Sequence, residues 1–208
     1  MKHKGILLII SGFAGTGKGT LVSALREKYD NYALSVSATT RGPRNGEQEG
    51  IHYFFKTREE FQQMIAQDEL IEHAEYVGNF YGTPRAYVEQ QMAEGKDVIL
   101  EIEIQGALKV KEKFPDTLLL FLVPPSADEL ETRLRGRGTE DEETIRKRLS
   151  RAVEEAKYIT QYDYVIVNDE IDACAERTHA LIQSEHFRTG RSREFIAELT
   201  DELQKFRQ

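Results

Sequence analysis

"SGFAGTGKGT", residues 11–20, holds four glycines, one lysine and no bulky side chain beyond Phe13. The apolar run "GILLII" precedes it at 5–10, and the helix-like "LVSALREKY" follows it at 21–29. Glycines at this density, between a buried-type strand and a helix, let the backbone wrap around a ligand with its N–H groups turned inward. A phosphate suits such a cradle, because the helix N-terminus behind it adds further N–H donors. From Gly12 the residues read G-x-x-x-x-G-K, with Gly17 before Lys18. Gly12, Phe13, Ala14, Gly15, Thr16, Gly17, Lys18, Gly19 and Thr20 are therefore a candidate polyphosphate loop, with Lys18 reaching the terminal oxygens. The place after the lysine ordinarily carries a hydroxyl that contacts magnesium. Here it is Gly19, with Thr20 one position further on.

Three more apolar runs, "DVILEIEI", "TLLLFLV" and "YVIVN", resemble the first, and each is followed by helical periodicity or a turn. Such alternation predicts a parallel sheet covered on both faces, with ligands beyond the carboxyl ends of the strands. Helix starts are legible in capping chemistry. "TREE" at 57–60, "SADE" at 126–129 and "TEDE" at 139–142 each set a hydroxyl at capping-box spacing from a glutamate. "TPRAYVEQQMAEG" at 83–95 offers Thr83 as a cap, Pro84 at the first helical position and Gly95 as a stop. Between the first helix and that one, "SVSATTRGPRNGEQEGIHYFF" has little repeating period and reads as an inserted lobe of loops and short strands.

At 208 residues the chain suffices for one large domain or one domain with inserted lobes. Its 39% hydrophobic and 31% charged composition is that of a soluble globular protein. The net charge of −8 argues against a general nucleic-acid binder, so any anionic ligand must be held by local clusters. The lone cysteine, Cys174, reads as core filler and fits a reducing, cytoplasmic setting. The short N-terminal apolar run reads as a strand rather than a leader, and no stretch is long enough to span a membrane.

At "SVSATTRGPRNGE" the sequence resembles the guanylate kinase family, a resemblance that takes in the glycine loop before it and runs on to about Ile182. "GFAGTGKGT", "GIHYFF", "ELIEHAEYVGNFYGTP", "LEIEIQGA", "LETRLRGRGTEDEETIRKRL" and "YVIVND" carry the resemblance, in that order. It implies an α/β fold, a three-layer P-loop kinase with a parallel core sheet, an inserted GMP-binding lobe and a helical lid. The expected parts are a core at about 1–36, 84–125 and 157–185, a lobe at about 37–83, a lid at about 126–156 and a C-terminal helical extension at about 186–208. It also implies phosphoryl transfer from ATP to GMP or dGMP with Mg2+, in purine nucleotide metabolism. Alternatives are a related P-loop kinase with another acceptor, such as ribose 1,5-bisphosphate, and an inactive guanylate-kinase-like binding module.

The residues themselves agree with that chemistry. Arg41 and Arg44 bracket a Gly-Pro turn, so two guanidinium forks can converge on one phosphate. By resemblance they hold the GMP phosphate together with Tyr53 and Tyr81. Guanine offers an oxo acceptor beside two donors, so its reader needs a hydroxyl and a carboxylate. By resemblance Glu72 and Glu103 accept from the donors while Ser37 and Thr83 face the oxo group. Read as strand residues, Glu101 and Glu103 project from one face, and acids amid isoleucines are costly to bury unless paired or near a metal. The family commonly has aspartates there. Glu101 and Thr20 are the candidates for holding the cation, through water.

Phosphoryl transfer asks the protein mainly for alignment and neutralised charge. Seven basic residues fall between Arg133 and Arg151. Arg137 and Arg148 match family arginines that close over the phosphates, and Arg133 matches one near the donor adenosine. Asn168 is expected beside the adenine. Arg135, Arg146 and Arg151 read as surface charges paired with nearby glutamates. Gly136 and Gly138 suit a hinge for a lid that excludes water. At the C-terminus Phe195, Ile196, Leu199, Leu203 and Phe206 form one helical face, which could dock on the parent domain or join two copies. Monomer and homo-oligomer both stay open.

Overall fold

The structure is a computed structural model that describes residues 4–136 and 141–207. Its central strand, β1 (Leu7–Gly12), is followed by α1 (Lys18–Lys28) and the short β2 (Tyr32–Leu34). Further on come α3 (Arg85–Ala93), β7 (Asp97–Leu100), α4 (Ile104–Lys113), β8 (Leu118–Val123), α5 (Ala127–Gly136), α6 (Glu142–Ala156), β9 (Tyr164–Val167), α7 (Ile171–Glu185) and α8 (Arg193–Leu203). The five strands form one sheet in the order β2-β7-β1-β8-β9, and every neighbouring pair is parallel.

Residue alternation explains the three layers. Leu7, Ile9, Val98, Leu100, Leu119 and Phe121 face one way, into a core with Val88, Ala107, Val110, Leu130 and Ile145. Their neighbours Leu8, Ile10, Ile99, Leu118, Leu120 and Leu122 face the other way, onto Leu21, Val22 and Leu25 of α1 and Cys174, Ala175 and Ile182 of α7. Strands buried on both faces have to read as unbroken apolar runs. Each large aliphatic or aromatic side chain so buried contributes about 1.5–3 kcal/mol. The buried Asp97 carboxylate accepts from the Ile6 N–H at 2.8 Å and the Asn31 amide at 3.0 Å, and meets His186 Nε2, so one acid ties together the start of β1, the approach to β2 and the end of α7.

A second sheet lies between β2 and α3 in sequence. It contains β3 (Ala38–Thr39), β4 (Phe54–Phe55), β5 (Leu70–Tyr76) and β6 (Asn79–Pro84), in the order β4-β3-β6-β5. Its small core of Ala38, Phe61 and Leu70 is completed by α2 (Arg58–Ala66). Thr57 and Glu60 form the capping box that starts α2, as the "TREE" spacing predicts. Ser126 likewise accepts from the Glu129 N–H at 3.1 Å at the start of α5.

The structure departs from the sequence reading at four places. Thr83 does not cap α3: it lies in β6, and Pro84 is the N-cap. The proline has no N–H to donate, so its fixed φ serves as the helix entry. Asp141 caps α6 by accepting from the Thr144 N–H at 2.8 Å, whereas Thr139 of the "TEDE" motif lies outside the described residues. The strand in "DVILEIEI" stops at Leu100, leaving Glu101 in the following loop and Glu103 as the N-cap of α4, so the two acids are not paired across one strand face. The edge strand β2 has only three residues and no apolar run to announce it. Of the two readings that the sequence leaves open for α8, docking finds no support, since Phe195, Ile196, Leu199, Leu203 and Phe206 are all exposed.

Candidate active site

The loop between β1 and α1 begins where the sheet leaves no room. A Cβ at Gly12 would stand 2.3 Å from the Leu122 carbonyl oxygen of the adjacent strand, so β1 and β8 pack this closely only because residue 12 is glycine. Gly17 has φ +87° and is the N-cap of α1. A Cβ there would meet Asn168 Nδ2 at 2.7 Å. The contact is functional in shape, because Asn168 Nδ2 donates to the Thr16 carbonyl at 2.7 Å and clips the loop to the end of β9. Lys18 Nζ donates to the carbonyls of Gly12 at 2.6 Å and Phe13 at 3.1 Å, which folds the ammonium over the loop.

Two cavities flank this loop. The first, about 390 Å³, is lined by Gly15, Gly17, Thr20, Arg133, Asn168 and Ile171, among others. Arg133 is fixed there by Glu129 at 2.7 Å and by donating to the Asn168 carbonyl at 2.9 Å. Arg133 and Asn168, expected beside a donor nucleotide, line one cleft with Gly15 and Gly17 of the phosphate loop. The second cavity, about 780 Å³, is lined by Lys18, Ser37, Tyr53, Glu72, Tyr81, Glu101 and Glu103, together with residues of β5 and α4. Residues from Lys18 to Lys113 converge here because the second sheet presses β5 against α4.

Glu72 is the most constrained acid in that wall. Thr83, fully buried, donates its hydroxyl to Glu72 Oε1 at 2.8 Å. Burial pushes the Glu72 carboxyl up, and the Thr83 hydroxyl opposes it. A Cβ at Gly106 would approach Glu72 Oε2 at 3.9 Å, so the first turn of α4 leaves that oxygen open space. Thr83 does not line the cavity itself. It acts from behind, through Glu72.

Arg41 does not line the cavity but lies over Tyr53, which does, and it is held by a partner that the sequence reading did not single out. Glu47 takes both its terminal nitrogens, at 2.8 and 3.0 Å, and also accepts from the Arg44 N–H at 2.7 Å. The Arg41 guanidinium and the Arg44 N–H hold the Glu47 carboxyl down at about 2, and Glu47 with the Tyr81 hydroxyl keeps Arg41 firmly charged. The guanidinium stacks over Tyr53 at 5.3 Å, and the Tyr53 and Tyr81 rings meet edge to face at 6.2 Å. Arg44, by contrast, contributes its main chain to this cluster while its side chain is exposed. The signal for Glu47 was its place after the Asn45-Gly46 turn, which reverses the chain toward Arg41.

Glu101 faces the loop across a short gap: its Oε1 lies 4.0 Å from where a Cβ at Gly19 would stand. Desolvation raises its carboxyl, while Lys18 opposes the rise. Glu103 meets Arg151 of α6 in an ion pair, and Arg151 also pairs with Glu155 at 2.7 Å. Arg135 spans Glu131 and Glu142, and Arg146 reaches Glu142 at 3.5 Å, so these arginines are paired surface charges as the sequence suggests. Arg148 lies half-buried on α6. Arg137 and Gly138 lie outside the described residues.

Among the described residues no cluster of three or more His, Cys, Asp and Glu gathers to cage a metal. Magnesium does not require one, since it keeps waters and binds through one or two carboxylates plus substrate phosphates. A single carboxylate beside a phosphate loop fits that ion. Nor is any helix among the described residues long and apolar enough to cross a membrane.

A family model described as guanylate kinase matches residues 4–185. The guanylate kinase of Halalkalibacterium halodurans is 54% identical over 190 residues, covering 91% of this chain and 93% of that protein. That of Lactococcus lactis is 48% identical over 203 residues, covering 98% and 99%. The crystal structure of guanylate kinase from Anaplasma phagocytophilum aligns with a TM-score of 0.68 at 38% identity, covering 91% of this chain and 90% of that one. With the phosphate loop, the second sheet and the acid-lined cavity all within the matched span, the chain belongs to the guanylate kinase family.

Proposed function

We infer that the chain transfers the terminal phosphoryl group of ATP to GMP, giving ADP and GDP, and that dGMP is accepted as well. One observation carries the reading beyond family membership. The two cavities meet at the phosphate loop, with Gly17 and Thr20 on the first and Lys18 on the second, so one ammonium can serve both the donor phosphates and the acceptor.

In this reading ATP lies along the first cleft, its adenine near Asn168 and Arg133. GMP occupies the second, its phosphate taken by Arg41, Arg44, Tyr53 and Tyr81. Glu72 accepts from the guanine ring N–H and amine, with Thr83 fixing the carboxylate, and Ser37 faces the oxo group. Glu103 stands on the same wall. Lys18, Arg137 and Arg148 neutralise charge as it spreads over the moving group, which is the main demand of such a transition state. Magnesium, if bound with ATP, would supply positive charge that offsets the phosphates' negative charge. Glu101 is the residue that would hold it. The lid helices α5 and α6 close over both nucleotides to exclude water, and Gly136 has open space around it for that motion.

The test is ADP formation from ATP and magnesium with GMP, dGMP, AMP, UMP, CMP and ribose 1,5-bisphosphate offered separately, against a no-acceptor control. Turnover confined to GMP and dGMP is expected. Turnover with AMP or the sugar phosphate at a comparable rate would overturn the assignment of the acceptor wall.

A further inference from the structure

Arg151 reads from the sequence as a surface charge answered by nearby glutamates, and one half of its guanidinium fits that reading: Nε donates to Glu155, four residues on along α6, at 2.7 Å. The other half leaves the helix. Nη2 donates to Oε2 of Glu103, 48 positions away in sequence, which is the N-cap of α4 and lines the second cavity. Tyr76 of β5 lines the same cavity and lies within electrostatic reach of the arginine. Tyr76 and Glu103 are both exposed, so Arg151 stands at the mouth of the cavity, where α4, β5 and α6 approach one another. The Glu155 side chain is only 16% exposed and aims the arginine before the pair with Glu103 forms, so less side-chain freedom is lost in making it. Arg148 precedes Arg151 on α6 by about 4.5 Å along the helix axis, on the same face.

We propose that Arg151 is a positioning residue that docks the lid helix α6 on the acceptor wall through Glu103, and that an acceptor base held on that wall strengthens the dock. This rests on the kinase reading above. A carboxylate has two oxygens and about four lone-pair sites, so Glu103 takes a base donor on Oε1 while Oε2 holds the arginine. A base engaged there orders the carboxylate, and an ordered carboxylate is the better partner for Arg151. A base without donors at that place leaves Glu103 to swing in solvent, and α6 is docked less often. Fixing Arg151 on Glu103 also fixes how far Arg148 stands from the acceptor, since both arginines ride on one rigid helix. Recognition of the base is thereby passed to the lid and appears in kcat as well as in KM, the pattern expected when the correct substrate drives closure.

The experiment is a double-mutant cycle over wild type, Arg151→Gln, Glu103→Gln and the double variant, each shown by thermal unfolding to keep its fold. Calorimetry measures the affinity of a non-hydrolysable ATP analogue with and without saturating GMP, and the ratio of the two is the coupling between the sites. Steady-state turnover with GMP is measured alongside. GMP is expected to tighten analogue binding to wild type. Arg151→Gln is expected to lower that coupling and kcat by about two- to fivefold, the size of a partly exposed ion pair, while GMP affinity in the absence of the analogue stays at the wild-type value. On the Glu103→Gln background the same substitution should change nothing further. Wild-type coupling and kcat in Arg151→Gln would overturn the dock and leave the kinase reading standing. A loss of the same size on both backgrounds would mean that Arg151 does not act through Glu103, and would overturn it equally. Wild type without GMP-dependent ADP formation removes the kinase reading and the dock together.

Discussion

Replacing Gly17 by alanine separates two costs that the structure lets one weigh. The first is conformational: at φ +87° an L-residue pays about 1–2 kcal/mol for the left-handed region. The second is a collision. The new Cβ would stand 2.7 Å from Asn168 Nδ2, and Asn168 is 6% exposed and hydrogen-bonded to the Thr16 carbonyl, so it can retreat only by giving up that bond. An unsatisfied buried polar group costs about 1–3 kcal/mol. Gly46 provides the control, with the same φ of +87° and nothing within 4 Å of its Cβ position. Gly46→Ala therefore measures the first cost alone, and the unfolded-state benefit of alanine is common to both. At roughly 2–4 °C per kcal/mol for a chain of this size, the midpoint of Gly17→Ala should fall about 2–12 °C below that of Gly46→Ala. Scanning calorimetry without nucleotide reads the difference. Equal midpoints would refute the claim that Asn168 is what demands glycine at 17.

Lys18→Ala should reduce kcat by several orders of magnitude while leaving thermal stability near wild type, and near-normal turnover would remove Lys18 from the transition state. Glu47→Gln should raise KM for GMP by loosening Arg41 without changing KM for ATP. An equal rise in both constants would mean a general disturbance of the fold instead. For Glu72 the sign follows from its raised pKa: protonation, which removes the acceptor, sets in at higher pH than for an exposed glutamate. KM for GMP should therefore climb as pH falls through that raised value, and Glu72→Gln should flatten the profile while eroding preference for guanine over other bases. A wild-type profile that stays level down to the ordinary glutamate range would contradict the burial argument.

The core sheet was legible because strands buried on both faces cannot conceal their composition, and the loop because glycine spacing is backbone geometry written in sequence. Site residues were legible as types. What the sequence could not display was their partnership. Thr83 reads as a helix cap from its neighbours Pro84 and Arg85, yet the antiparallel pairing of β5 with β6 turns its hydroxyl onto Glu72. Arg41 and Arg44 look equivalent across their turn, but Glu47 holds the side chain of one and only the main chain of the other. Glu101 and Glu103 alternate like strand residues, and the strand simply ends before them. A contact from another strand overrides the local pattern in the first case, a partner within the same loop in the second, and the end of β7 in the third.

The parallel pairing of β1 with β7 has a consequence for how this site can be altered. Ile9 sits opposite Leu100, so the main chain leaves β7 at Glu101 and leaves β1 only three residues beyond Ile9, at Gly12. The offset between the acid and the phosphate loop is thus a ladder register, fixed in whole-residue steps by main-chain hydrogen bonds, and a slip would invert every apolar contact of both faces. No gradual backbone adjustment is open to it. Side-chain length is the only fine control that remains on the separation, which makes the choice of acid at position 101 the vernier of an otherwise unadjustable instrument.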